Sequence, residues 1–406
     1  MSHQVIPIQG GVTAPKGIRA AGMHAGFAAD PEKLDLALVV ADTDEPVAAG
    51  MFTTNVFCAA PVQVSRQIVA DGRARAVILN SGNANAATGA PGLETARRVC
   101  EMAAWALGVE HDEVLVGSTG IIGVPLPLEP FAACIPELVD RLSKEGAHDA
   151  ALAIMTTDTH PKECAVQFES NGVTYTVGGM CKGAGMIQPN MATMLAVITT
   201  DAPVSSDIAS EVLKTAVGNS FNKVTVDSDT STNDSVFFLS SGAAGGFKIE
   251  ATGSARIAFE QAVCTVCDNL ARQIAADGEG STKLVTVNVR GAVDAHDADK
   301  AARTVANSPL VKTCIAGHDC NWGRVAAAVG RSGAKFSQEK VDIDMLGLPV
   351  CRGGLTVGFD EDEATRRFEQ DEIVIDIDLH AGDASTRIWT CDLTHDYITI
   401  NADYRS

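Results

Sequence analysis

What this 406-residue chain has little of already narrows its function. Its 31 Lys and Arg are outnumbered by 51 Asp and Glu, leaving a formal charge of −20. Binding to nucleic acids or anionic membranes rests on clustered Lys and Arg, so neither partner is expected. An acidic surface is compatible with a cationic substrate but ordinarily reports solubility alone. No uninterrupted apolar run reaches membrane-spanning length. The opening "MSHQVIPIQGGVTAPKG" has neither a basic n-region nor an apolar core, so a signal peptide is not expected. Repeats, Pro-rich linkers and low-complexity segments are missing too. The 11 cysteines include one CxxC, Cys264 and Cys267, with no second CxxC or HxxxH to complete a zinc site. That pair falls within a stretch of helical period, and without an export signal reduced thiols are expected. The expected compartment is the cytoplasm, and no metal is expected.

What is present is a steady alternation of strand-like and helix-like stretches. "LALVVA", "AVILN" and "EVLVG" have the continuous apolar character of buried strands, and "LETARRVCEMAAWALG" and "EPFAACIPELVDRLSK" the spacing of helices packed on them. A helix is expected after Ser205 or Ser206, and a long one over 255–276 that Gly278 could cap. "KVDIDMLGLPV" and "EIVIDIDLHAG" alternate with period two, as strands with one wetted face do. The expected class is α/β (α+β), mixed sheets layered with helices, with a smaller C-terminal subdomain from about residue 285.

The familiar signatures fail when tested. "GGMCKGAG" has Ala184 where a phosphate loop needs Lys, and G-x-G-x-x-G from Gly183 ends on Gln188. "DSDTSTNDS" (227–235) read as an EF-hand has Thr232 in place of Gly and Phe238 in place of Glu. The reading adopted for it is a polar loop that hydrogen-bonds a site, rather than a magnesium centre of Asp227, Asp229 and Asp234. His160, His318 and His395 are far apart, and no G-x-S-x-G occurs. "GSTGIIG" (117–123) could offer consecutive backbone N–H groups to a developing negative charge, or be a tight strand-to-helix turn. In "DGEG", Glu279 is either a solvated turn residue or a carboxylate presented to a cationic ligand.

One stretch remains, "KGAGMIQPNMATMLAVITTDA" (182–202), where a glycine-rich loop enters an apolar strand at Thr193. With "GVTAPKGIRAAG", "ILNSGNANAATG", "GSTGIIG", "TTDTHPK", "VDSDTSTND", "DGEGSTK", "NWGR" and "INADYRS", it resembles the ornithine acetyltransferase, or glutamate N-acetyltransferase, family of arginine biosynthesis. The resemblance runs in order along nearly the whole chain, and "NMATML" is its most specific part.

The resemblance implies self-cleavage at Ala192–Thr193 in an N-terminal-nucleophile-like architecture, giving an alpha chain 1–192 and a beta chain 193–406. Thr193 is then the nucleophile, and its freed α-amine, with an unperturbed pKa of about 7.7–8.0, supplies its own base. No neighbouring histidine is needed. The acetyl group passes from N2-acetylornithine to glutamate through an acetyl-threonine. Thr119 and Gly120 are implied as the oxyanion hole, and Thr157, Lys182, Thr193, Glu279, Asn401 and Ser406 as substrate contacts, although "TTDT" offers neighbouring threonines beside Thr157. No bound cofactor is implied; acetyl-CoA as a further donor is left open, and the implied assembly is a heterotetramer of two alpha and two beta chains. The alternative is an N-terminal-nucleophile amidase or aminopeptidase that gives the same acyl group to water.

Overall fold

The computed structural model describes residues 4–188 and 194–403. A six-stranded sheet runs in the order β1 (Val5–Ile8), β7 (Lys162–Ser170), β8 (Val173–Lys182), β9 (Leu195–Thr200), β10 (Ser235–Ser240) and β4 (Val47–Phe52). A four-stranded sheet of β2 (Ile18–Met23), β3 (Leu36–Ala41), β5 (Ala76–Asn80) and β6 (Val114–Ser118) stacks on it. Side chains alternate faces along a strand, and the two sheets use both faces. Met180, Leu195, Val197 and Phe237 meet Val39, Val77, Leu79 and Leu115 between the sheets, where Ala150 and Ala151 of α4 (Ala147–Ala153) also pack.

The intervening residues face outward onto helices. Ala196, Ile198, Val236 and Phe238 pack on α5 (Ser206–Asn219) and α6 (Ser254–Ala276). Leu38, Val40, Ile78 and Val116 pack on α1 (Ala60–Ile68), α2 (Gly89–Leu107) and α3 (Glu129–Asp140). Burial on both faces explains why "LALVVA" and "AVILN" read as unbroken apolar runs. Ser205 is the residue that caps α5, its Oγ accepting from the Ile208 N–H at 3.4 Å. α2 starts a turn earlier than its apolar spacing suggests, because Pro91 in the first turn gives up no intrahelical bond.

A third sheet takes its strands from residues 284–391, in the order β14 (Leu355–Thr356), β13 (Leu348–Arg352), β12 (Asp342–Met345), β15 (Glu372–Asp378), β11 (Leu284–Ala292) and β16 (Ala384–Cys391). α7 (Ala295–Ala306), α8 (Pro309–Ala316) and α9 (Trp322–Gly330) share a core with it. β15 alternates buried and half-buried residues, as its period-two pattern requires. α10 (Glu361–Arg367) and α11 (His395–Asp403) complete the described elements. Among these residues no helix is long and apolar enough to cross a membrane.

Candidate functional site

Loops from both stacked sheets converge at one end on a cavity of about 610 Å3, counting its open mouth. Thr119 and Gly120 reach it from the end of β6, Thr156 and Thr157 from before β7, and Lys182 from the end of β8. Glu279 enters from the turn after α6, Asn401 from α11, and Ser231, Thr232 and Asn233 from the loop before β10. The described residues expected from the sequence therefore share one cavity, although they come from remote parts of the chain. Thr156 and Thr157 both line it, whereas Thr159 turns away to Asp277. Ala192, Thr193 and Ser406 lie outside the described residues.

Thr119 offers its hydroxyl rather than its amide. Its N–H donates to the Asn80 carbonyl at 3.0 Å, so the expected pair of consecutive free N–H groups is not formed. The Lys182 ammonium donates to Thr119 Oγ1 at 3.3 Å, which leaves the hydroxyl hydrogen to be aimed elsewhere. Gly120 has φ +131 and sits against Gly82 and Asn83. A Cβ there would lie 2.3 Å from the Gly82 carbonyl carbon, so no side chain fits.

Lys182 is 2% exposed. Burial pulls its pKa down, and Asp158, Asp234 and Glu279 work against that. Behind it, fully buried Lys162 reaches Asp158 at 2.7 Å and Asp277 at 2.5 Å. Burial works against the charge on Lys162, yet the two carboxylates outweigh it and its pKa is raised. Burial alone would raise Asp158, but Lys182, Lys162 and the Gly183 N–H, the last at 2.6 Å, bring it down to about 2. Breaking one side of such a buried pair costs about 3–5 kcal/mol. Neither Lys162 nor its two aspartates stood out in the sequence; the i,i+4 pairing of Asp158 and Lys162 inside "TTDTHPK" was the available signal.

Glu279 is half-buried, its N–H donating to the Ala184 carbonyl at 3.0 Å and its Oε2 accepting from Asn401 Nδ2 at 2.7 Å. A Cβ on Gly185 would come within 2.4 Å of its carboxylate, so Gly185 is the clearance that Glu279 needs. α6 is capped by Asp277, whose N–H donates to the Gln273 carbonyl, and not by Gly278; Gly278 is instead packed against Cys391 Sγ.

The "DSDTSTNDS" loop does hydrogen-bond the site. Asp227 accepts the Met186 and Ile187 N–H groups at 2.6 and 2.8 Å. Asn233 Nδ2 donates to the Ala84 and Ser118 carbonyls. Asp234, fully buried, accepts the Met194 N–H at 3.0 Å, and burial pushes its carboxyl well above the usual range. Cys264 and Cys267 are free thiols on α6, the second fully buried.

A buried hydroxyl polarised by a lysine, facing a carboxylate across a small polar cavity, is the site of an enzyme that acts on a small charged molecule. The ArgJ family model matches residues 19–406. The arginine biosynthesis bifunctional protein ArgJ of Symbiobacterium thermophilum is 48% identical over 400 residues, covering 98% of this chain and 99% of its own. Its namesake from Thermosynechococcus vestitus is 46% identical over 420 residues and covers both chains completely. Among solved structures, a chain of the arginine biosynthesis bifunctional protein argJ from Bacillus halodurans is 40% identical with a TM-score of 0.50, and 98% of it matches 51% of this chain. The chain belongs to the ArgJ family.

Proposed function

We propose that this enzyme of the ArgJ family moves the acetyl group of N2-acetylornithine to glutamate through an acetyl ester on Thr193, releasing ornithine and N-acetylglutamate. Acetyl transfer in arginine biosynthesis is the activity of the family. The observation that carries the assignment to this site is the single cavity holding Thr119, Gly120, Thr157, Lys182, Glu279 and Asn401. It is lined by the buried Lys182, which pairs in register with Leu195, two residues after Thr193.

In this reading the Thr193 hydroxyl first attacks the Ala192 carbonyl. The peptide bond breaks as an ester forms, and water opens the ester to leave a carboxylate on Ala192 and a free amine on Thr193. The half-length Bacillus halodurans chain supports such a cut, because either fragment, 1–192 or 193–406, is close to half of this chain. The same hydroxyl then attacks the acetyl carbonyl of the donor while the α-amine takes its proton and passes it to the departing nitrogen. The Thr119 hydroxyl and the Gly120 N–H face the oxyanion. Lys182 suits the α-carboxylate of each amino acid and Glu279 the ornithine ammonium, with Asn401 holding Glu279 and Ser406 as a further polar contact. Glutamate's amine attacks the ester and restores Thr193.

The reading includes a cytoplasmic location and an assembly of two alpha and two beta chains, with no bound cofactor. Acetyl-CoA as a second donor belongs to the same proposal. Acetyl-labelled N2-acetylornithine with glutamate should yield labelled N-acetylglutamate, and without glutamate a labelled peptide beginning at Thr193. Label appearing only as free acetate would favour the amidase reading. Acetyl-CoA offered alone with glutamate tests the second donor.

A further inference from the structure

The ion cluster behind the cavity takes no part in those steps, yet it holds both of the cavity's charged walls. Asp158 accepts the Thr156 N–H at 3.1 Å and the Gly183 N–H at 2.6 Å, the second being the amide that follows Lys182. Asp277 accepts the Thr159 N–H at 3.0 Å and also the Thr159 hydroxyl, and stands two residues before Glu279. His160, partly exposed, lies 3.4 Å from the same carboxylate. The Lys162 ammonium joins the two aspartates while its own side chain is 0% exposed, out of a ligand's reach. Through one cation, the segment carrying Lys182 and the turn carrying Glu279 share a frame.

We propose that Asp158, Lys162 and Asp277 are positioning residues that fix the separation of Lys182 from Glu279 and so set the length of the donor amino acid. The proposal rests on the reading that Lys182 meets the donor's α-carboxylate and Glu279 its side-chain ammonium. A fixed cation-to-carboxylate span measures a ligand carrying the opposite charges at its two ends. A donor one methylene longer must give up one contact or displace the frame, and a frame tied by buried ion pairs resists displacement.

The test compares N2-acetylornithine with N2-acetyllysine as donors to glutamate, using the processed enzyme. In a fitted site one methylene is worth about 10–200-fold in kcat/KM, and the unmodified enzyme is expected to prefer the shorter donor within that range. Asp277→Asn keeps the side chain's shape but loosens its hold on Lys162. Thr159→Val leaves all three charges in place and removes the hydroxyl's ties to Asp277 and to the partly exposed His160 ring, so it keeps the test decisive if the first variant fails to fold. Both are expected to bring the preference down by about tenfold, through a raised KM for N2-acetylornithine. If both donors lose kcat/KM by the same factor, or the unmodified enzyme shows no preference, the cluster is merely structural and the proposal is overturned. Failure of the unmodified enzyme to use N2-acetylornithine at all would instead refute the reading of the cavity, and the proposal with it.

Discussion

Thr119→Val is the substitution whose consequence follows most directly from the geometry. Because the Thr119 amide is committed to Asn80, only the hydroxyl can serve a developing oxyanion, and valine removes it while keeping the β-branched shape. Loss of one preorganised donor of this kind lowers kcat by about 100- to 1,000-fold, or 2.7–4 kcal/mol. A second effect accompanies it, because the Lys182 ammonium loses the acceptor it holds at 3.3 Å. An unmet buried polar contact costs about 1–3 kcal/mol of folding free energy, and more for a charged group such as the Lys182 ammonium, so it registers in thermal unfolding rather than in turnover. Thr119→Ser keeps the oxygen and should retain most of both. Steady-state release of ornithine from N2-acetylornithine, with glutamate saturating, measures the first effect, and single-turnover acetylation of Thr193 isolates the chemical step. The expected signature is a fall in kcat with little change in KM. A raised KM with kcat intact would make Thr119 a ground-state contact and refute its role at the oxyanion.

Glu279→Gln should slow acetylation by N2-acetylornithine by about 10- to 150-fold, the worth of a charge-assisted hydrogen bond of 1.5–3 kcal/mol. It should slow deacetylation by glutamate less, because glutamate brings a carboxylate to the same end; equal slowing in rapid-quench measurements would disprove charge recognition. Gly185→Ala, which pushes a Cβ into the Glu279 carboxylate, should mimic that selective loss. Asp158 is held at about 2, below its ordinary 3.8, so its charged form stabilises the fold above pH 4 and that contribution disappears as the pH falls towards 2. The stability difference between the unmodified protein and Asp158→Asn should therefore shrink by about 2 kcal/mol over that window, measured by urea unfolding. A difference independent of pH would mean that Asp158 is not ionised by its lysines.

The sequence was most informative where one physical constraint dominated. Strands buried on both faces are apolar over most of their length, so β3, β5 and β9 were legible as runs, and the half-wetted β15 as an alternation. The polar joints were legible as a set through the family resemblance, and the described site residues it implied face one cavity, whereas "NWGR" opens α9 in the core of the third sheet. What stayed hidden depends on partners distant in sequence. Lys162 is an ordinary strand lysine until folding brings Asp277 to it, and the Thr119 amide is a free donor until β6 is laid beside β5. Glu279 could be read either as a solvated turn residue or as a ligand carboxylate, because its meaning rests on Gly185 and Asn401, which meet it only in three dimensions.

Sheet topology explains how the chain would keep its site once Ala192–Thr193 is cut as proposed. β8 and β9 lie on opposite sides of the Ala192–Thr193 bond in sequence, yet pair antiparallel from Val177↔Thr200 to Lys182↔Leu195. β10, from the second fragment, pairs with β4, from the first, over Ser235↔Phe52 to Ser240↔Val47. Each fragment thus contributes neighbouring strands to one sheet, and Met180 and Cys181 of the first share cores with Leu195 and Ala196 of the second. Cutting the bond removes none of these pairings. Met194 is buried, and its N–H is held by Asp234, so a terminus made by that cut would begin one residue before an anchored position. The purified protein should therefore show two fragments, 1–192 and 193–406, on a denaturing gel, yet elute as one species from a native sizing column. Thr193→Ala should remain a single chain of the same native size. Fragments that separate without denaturant would contradict the shared sheet. An uncut chain that still transfers acetyl would show that the free amine of Thr193 is not the base.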